Sequence, residues 1–403
     1  MRALGWLVGV VLAVGASGPV RAQQPLEAPQ GGPGKLQADY VRYDARNRLF
    51  EARGNVRLVT GDVTVTSETL VYEEKSRTAW AEGNARVVQG TTTLTAASVR
   101  YESESRVVHA RQGVTVTQPD LTLRSEALVY DLRGQVVDAE GKVVVEQPDQ
   151  TLRADTLNYR VRGKVVTAKG SVELKTKTAT LTGETLWADL ENKKATVTGP
   201  AKLVRKGGPP PRGREQDRVL VALAKEDTTF TAAEEFRFSW KETEEAEAKG
   251  DARVVQVDKE ASGDFLRYSE REDRVELVGR ARLHQRSGQW LVREKLVRPP
   301  ETEEDRKTLE TPATLTAERV VLFLGTRNAV AVGDVKVTQG ERLATGDRAE
   351  YEDTAGRIVL SGRRVRLKRE DGAWLEAQRV VLSMKEDTFE AFGSVETHFT
   401  VKP

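Results

Sequence analysis

The chain has 403 residues with a formal net charge of +2, acidic and basic residues interspersed, which leaves no basic footprint for nucleic acid. It contains no cysteine, and this excludes disulfides, zinc–thiolate sites and thiol nucleophiles. Apolar residues make up 38% and charged residues 31%, a balance that suits a thin body with much surface per residue better than a compact globule.

The first residues have the three parts of a secretory signal peptide. Arg2 precedes an apolar run from Leu4 to Val14, and Val20, Arg21 and Ala22 precede Gln23. The reading is a leader over 1–22, cleaved after Ala22, and an exported mature protein. The run is shorter than the roughly 20 residues of a spanning helix, which weighs against a retained anchor. Residues 23–35 mix Pro, Gly and Gln and read as a disordered linker.

From residue 36 the chain repeats itself. One anchor is a small residue, two further residues, an aliphatic, any residue, then often Tyr. It reads ADYVRY at Ala38–Tyr43, SETLVY at Ser67–Tyr72, AASVRY at Ala96–Tyr101, SEALVY at Ser125–Tyr130 and ADTLNY at Ala154–Tyr159. Looser copies start at Gly183, Ala233, Gly263, Arg293, Ala317, Gly346 and Ala377. The second anchor, Ala-x-Gly-x-Val, centres on glycines such as Gly54, Gly83, Gly141 and Gly170. Successive early copies of the first anchor lie 29 residues apart, so a repeat architecture is the expectation.

Each repeat predicts two strands. Phe50, Ala52, Gly54, Val56 and Leu58 share one parity, and Glu51, Arg53, Asn55 and Arg57 the other. That period of two marks a strand with one buried face. In the stretch from Leu94 to Tyr101 the apolar steps are two, three, two, and a step of three shifts the side-chain phase as a bulge does. Short turns rich in Asp, Asn, Gly and Pro separate the strands and favour antiparallel neighbours.

Two stretches interrupt the pattern. Residues 205–230 begin Pro/Gly-rich and read as a linker or loop, and 299–313 form an acidic insertion bounded by prolines that cuts one rung open. The expected organisation is one module over 36–204 and a second over 231–403. The fold class is all-β: an elongated pair of antiparallel sheets, or a flattened roll, of two-strand repeats of about 29 residues, in two consecutive modules.

The pairing of these two anchors behind a signal peptide resembles the OstA-like repeat of the LptA-type lipopolysaccharide-transport proteins, found in LptA, LptC and the periplasmic part of LptD. Residues 36–204 carry it strongly and 231–399 more weakly. The resemblance implies a jellyroll whose open-sided groove shelters the acyl chains of lipopolysaccharide or a related envelope lipid. It also implies partners, other Lpt-type jellyrolls or a second copy, joined through edge strands. The chain departs from the single-module pattern in its length and its two interruptions.

The inward apolar candidates for such a groove are Val56, Leu58, Leu70, Tyr72, Val99, Tyr101, Leu128, Tyr130, Val143, Leu157, Tyr159 and Val172. Taken singly, each is better explained as core, and each tyrosine as a corner cap. Arg42, Arg53, Arg57, Arg86, Arg100 and Arg124 could meet lipid phosphates, but a solvated strand face explains them too. No catalytic residue, metal ligand set or cofactor is expected. His109, His284 and His398 have no ligand spacing, and no Walker A, nucleophile-elbow or HExxH sequence occurs. Two other readings stay open: a self-associating envelope rod without lipid cargo, and a secreted carbohydrate-processing β-helix.

Overall fold

The computed structural model describes residues 34–209 and 216–398, apart from 385 and 387. The leader and most of the expected linker lie outside the described residues. Two compact units divide between Thr198 and Gly199.

The first unit is a run of antiparallel hairpins. Leu49–Thr60 pairs with Val63–Glu73, that strand with Thr78–Gln89, and so on through Thr92–Glu102, Val107–Gln118, Leu121–Asp131, Val136–Gln147, Gln150–Arg160, Val165–Thr176 and Ala179–Asp189. These are the two strands per repeat that the parity predicts. Two-residue turns such as Gly61-Asp62 and Pro119-Asp120 link the strands on one rim, and longer turns, most of them just after a tyrosine, link them on the other. The longer turns also bond to one another. The amides of Glu74, Ser103, Leu132 and Val161 donate to the carbonyls of Arg48, Arg77, Arg106 and Gln135 at 2.9–3.0 Å.

Every long pair shifts register at its middle, between Arg53 and Val56 on one strand and between Thr66 and Thr69 on the next. This is the bulge that the step of three predicts. Gly54 and Asn55 both take positive φ there, +74° and +46°. Gly tolerates that region freely and Asn better than most residues. The bend folds each strand into two arms, so Ala52 before it and Val56 after it are both buried.

The acid in the first anchor completes the joint. A Cβ built on Gly170 would stand 2.1 Å from Asp155 Oδ2, and one on Gly54 would stand 2.4 Å from Asp39 Oδ2. Asn55 Nδ2 donates to that same Asp39 oxygen at 2.8 Å, and Asn84 Nδ2 donates to Glu68 Oε1 at 3.1 Å. The acid of one strand thus covers the glycine of the next, and the two anchors are one structural device.

The second unit follows the same plan from Ala201–Arg205 and Thr228–Ala232 through Trp374–Ser383 and Thr388–Phe392. Three of its features differ from the sequence reading. Residues 205–230 are not all loop: Arg218–Ala224 is a helix (α1), and the next strand starts at Thr228. Asp217 caps α1 by accepting from the amides of Val219 and Leu220 at 3.1 Å, which satisfies two of the free N–H groups of the first turn.

The copy read at Arg293–Arg298 is not a strand. It follows helix Gln289–Arg293 (α2), and Pro299–Pro300 ends the segment. The acidic insertion contains helix Glu303–Glu310 (α3). Its cap Thr302 accepts from the Asp305 amide at 3.1 Å, and Glu303, Glu304 and Asp305 occupy the first turn, where the helix dipole favours acids. No rung is cut open. Arg274–Gln285 pairs directly with Ala313–Phe323, so residues 286–312 replace one short turn between paired strands. Residues 206–227 replace the same kind of turn between Ala201–Arg205 and Thr228–Ala232.

Candidate functional site

The ladder register sorts the inward residues of the first unit into rows that run across the strands. The row next to the bulge joins Ala52, Leu70, Ala81, Val99, Ala110, Leu128, Ala139, Leu157, Ala168 and Leu186 in unbroken lateral pairing. All ten are buried. Alanines from the glycine anchor alternate with the larger residues of the tyrosine anchor, so small and large groups interlock. Beyond the bulge, Val56, Val114, Val143 and Val172 form a second buried row with Ser67, Ala85, Ala96, Ser125 and Ala154.

Two outer rows are partly open. One runs Phe50, Tyr72, Ala79, Tyr101, Val108, Tyr130, Val137, Tyr159 and Val166. All are half-buried except the buried Tyr130 and Val166. The other runs Leu58, Val65, Val87, Leu94, Val116, Leu123, Val145 and Leu152, with Leu58, Val65, Val87, Val116 and Val145 half-buried. The unit therefore has a sealed spine flanked by two apolar margins, one on each arm.

The twelve candidates divide along this line. Val56, Leu70, Val99, Leu128, Tyr130, Val143, Leu157 and Val172 are buried, seven of them in the spine rows and Tyr130 in the tyrosine row. Leu58, Tyr72, Tyr101 and Tyr159 sit in the partly open margins. Parity alone missed Val65, Val87, Val116 and Val145, which complete the second margin. The signal was a second aliphatic two residues past the buried residue that follows each glycine anchor, as in Ala85-Arg86-Val87, and two residues into the strand after the turn, as in Val63-Thr64-Val65.

The short-turn rim carries a polar row. Gln118 Nε2 donates to Thr92 Oγ1 at 3.2 Å, Gln89 Nε2 donates to Asp62 Oδ2 at 3.0 Å, and Gln150 Nε2 donates to Gln147 Oε1. The arginines face outward or lie in ion pairs. Arg100 is 2.7 Å from Glu102 and 6.0 Å from the Trp80 ring centre, Arg124 is 2.6 Å from Glu146, Arg42 is 3.7 Å from Asp44, and Arg53 pairs with Glu51. Arg57 and Arg86 are exposed on the outer parity. None lines the inner face. The histidines stand apart: His109 is 3.4 Å from Glu102, His284 Nδ1 is 2.9 Å from Thr314 Oγ1, and His398 stacks on Trp374.

Burial shapes the chemistry of the tyrosine margin. It pushes the Tyr130 phenol up to about 12, reinforced by the charge of Asp131 and by Tyr159, and raises Tyr159 and Tyr101 in the same direction. A group whose pKa is raised on folding stabilises the fold fully below its unfolded value, and that stability is lost as pH rises through the folded value. For Tyr130 this window runs from about pH 10 to about pH 12. The unfolding free energy of the intact chain should fall across it, by about 3 kcal/mol for this residue. Tyr130→Phe should flatten that part of the profile, and an unchanged slope would count against the assignment.

The fold so far is a tandem-repeat antiparallel β-jellyroll, bent at Gly-bearing bulges, with an apolar inner face. A family model described as the LptA/(LptD N-terminal domain) LPS transport protein matches residues 35–136, 64–194 and 122–298. The matches overlap, and together they take in well over half of the chain. The chain belongs to this LptA/LptD N-terminal domain family. Comparison with curated proteins finds no match.

Among solved structures, LptH of Pseudomonas aeruginosa, described as the LptA homologous periplasmic component of a lipopolysaccharide transport device, is 23% identical. The similarity covers 27% of this chain and 82% of that one, with a TM-score of 0.26. The WD40 domain of SCAP from fission yeast is 8% identical over 91% of this chain and 89% of that one, with a TM-score of 0.11. Neither superposition is close enough to bear on the fold. Among the described residues no helix is long and apolar enough to cross a membrane.

Proposed function

We propose that the chain is a non-enzymatic periplasmic carrier of lipopolysaccharide or a related envelope lipid, exported by a cleaved leader, with the acyl chains sheltered along the inner margins of the first unit. The observation that carries this reading is the pair of half-buried apolar margins beside a spine that is already closed. The spine holds the unit together without a ligand, so the margins are free to receive one. An acyl chain lying there gains roughly 0.8 kcal/mol for each methylene removed from water. The margins repeat with every hairpin and have no deep pocket, so a chain can move from one repeat to the next. Membership of a lipopolysaccharide-transport family fits the same reading.

The two units serve as successive modules of this carrier. Partners, another Lpt-type jellyroll or a second copy, would add at the terminal strands. Tyr40, Val41 and Tyr43 on strand Tyr40–Asp44 are exposed, as are Phe389 and Phe392 on Thr388–Phe392. Open strand edges with exposed aromatics invite such pairing.

Native mass spectrometry of the protein purified from its own envelope tests the proposal. Lipid should co-purify with the wild type. Val87→Arg and Val116→Arg, which place a charge in the second margin while leaving the spine intact, should each reduce retained lipid at least tenfold without changing the thermal midpoint by more than a few degrees. Retention equal to wild type in both variants would refute the margin as the acyl site.

A further inference from the structure

Six long turns of the first unit repeat one backbone position every 29 residues, at Arg48, Arg77, Arg106, Gln135, Lys164 and Lys193. Each is the last turn residue before a strand, and each has φ between +49° and +60°. That region suits glycine, and any side chain there costs backbone energy. Five of the six positions nevertheless carry a long cation.

The backbone of this ladder is fixed. The carbonyls of Arg48, Arg77, Arg106, Gln135 and Lys164 each accept from an amide of the following long turn at 2.9–3.1 Å. Two strands separate one rung from the next, a step of about 10 Å. The side chains are not tied down. All five cations are exposed, and among the described residues none of them forms an ion pair. The acid that ends each preceding strand is engaged by its own turn instead. Asp44 accepts from the Asn47 amide at 3.1 Å, Glu73 from Ser76 Oγ at 2.6 Å, Glu102 from Ser105 Oγ at 2.9 Å, and Asp189 from the Asn192 amide at 2.8 Å. At the Gln135 rung, Arg162 of the next turn donates through Nε to Gln135 Oε1 at 3.2 Å, which brings a cation there too. Glu74, Glu104 and Glu191 are exposed in the same turns, so the ladder rather than the whole rim is cationic.

The ladder runs beside the tyrosine margin. Tyr72, Tyr101, Tyr130 and Tyr159 are the last inner residues before four of these turns. Among the described residues their hydroxyls make no hydrogen bond. Burial raises the Tyr101 phenol and the Arg106 charge lowers it, so cation and phenol are neighbours.

The second unit provides the contrast. The same turn position there holds Asp273, Arg327 and Gly356, with φ +50°, +58° and +63°. The carbonyls of Asp273 and Gly356 accept from Leu324 and Met384 as in the first unit, at 2.9 and 2.8 Å. Arg327 Nε donates to Asp353 Oδ2 at 2.8 Å, and the Tyr351 hydroxyl donates to Asp353 Oδ1 at 2.9 Å. The turn therefore works with glycine or an acid, and where it holds a cation in this unit the cation and the phenol both have partners. Only the first unit keeps unpaired cations at a position where the fold would take glycine.

We propose that this ladder is an anion track for the phosphate groups of a lipid. Arg48, Arg77, Arg106, Lys164 and Lys193, with Arg162 at the fourth rung, hold the phosphate by charge-assisted hydrogen bonds. The phenols of the tyrosine row donate to the carbonyls that join headgroup to acyl chains, and the chains lie in the margin below. The ligand class is thus a phosphate-bearing lipid with its headgroup at the long-turn rim. The proposal rests on the acyl-carrier reading above.

Native mass spectrometry of the full chain tests it with dioleoyl phosphatidic acid and dioleoylglycerol, which share their acyl chains and differ in the phosphate. The wild type should retain at least tenfold more of the phosphatidic acid. The combined variant Arg77→Gly, Arg106→Gly and Lys164→Gly should retain the two lipids equally, with a thermal midpoint no lower than that of the wild type, because glycine suits the turn. Equal retention of both lipids by the wild type would overturn the anion track and leave the acyl margin standing. Retention of neither would overturn both. A preference that survives in the variant would overturn the assignment to these residues. Loss of the wild-type preference in millimolar inorganic phosphate would make the ladder a site for free phosphate and overturn the lipid headgroup as its occupant. The wild-type comparisons decide the matter even if the variant fails to fold.

Discussion

Leu128→Ala is expected to destabilise the chain by about 3 kcal/mol and to leave lipid retention per folded molecule nearly unchanged. Leu128 is buried between Ala110 and Ala139 in the spine row. Its two lateral neighbours are alanines held by bulged strands, and neither can expand into the space left behind. The cost is therefore lost transfer energy plus an unrelieved cavity. Tyr101→Ala, in the half-buried margin, should show the opposite balance, with a smaller loss of stability and a clear loss of retained lipid. Urea midpoints read the first quantity and native mass spectrometry the second. Equal effects in the two variants would mean that spine and margin are one surface and that the division drawn here is wrong.

Gly170→Val should cost a similar amount, about 3 kcal/mol, through the backbone rather than the core. Gly170 has φ +76°, and Ser171 after it has φ +46°. Valine is among the residues least able to take that conformation. Its Cβ would also fall on the Asp155 carboxylate. The Asp155→Ala background removes that contact and leaves the backbone strain. The double variant should then recover part of the loss, roughly 1 kcal/mol. Full additivity would indicate that the acid does not pack on the glycine.

The strands were legible because alternation is local. The parity of Phe50, Ala52, Gly54, Val56 and Leu58 needs only the chain's own geometry, and the three-residue step before Val99 announced the bulge. The role of Asp39, Glu68 and Asp155 was not legible, because the glycine that each covers lies in the next strand, fifteen residues on. The spine and the margins have the same parity and the same residue types. A row next to the bend is buried throughout and a row farther out only in places, so Leu70 and Tyr72 read alike and fold differently. The insertions misled for another reason. Gly207, Gly208 and Pro209 mark irregular chain correctly, but they hide the capped helix that follows Asp217, and Arg293–Arg298 matches the strand anchor in sequence although it continues from helix α2 and runs into Pro299–Pro300.

The central claim is that acyl chains lie on the inner parity of the first unit. Photoreactive p-benzoylphenylalanine placed at Tyr101 and, in a separate protein, at the adjacent outward Arg100, tests it most directly after illumination with lipopolysaccharide. Strong cross-linking to lipid is expected at Tyr101, with at most a tenth of that yield at Arg100. Equal yields at the two positions, or labelling confined to Arg100, would contradict it.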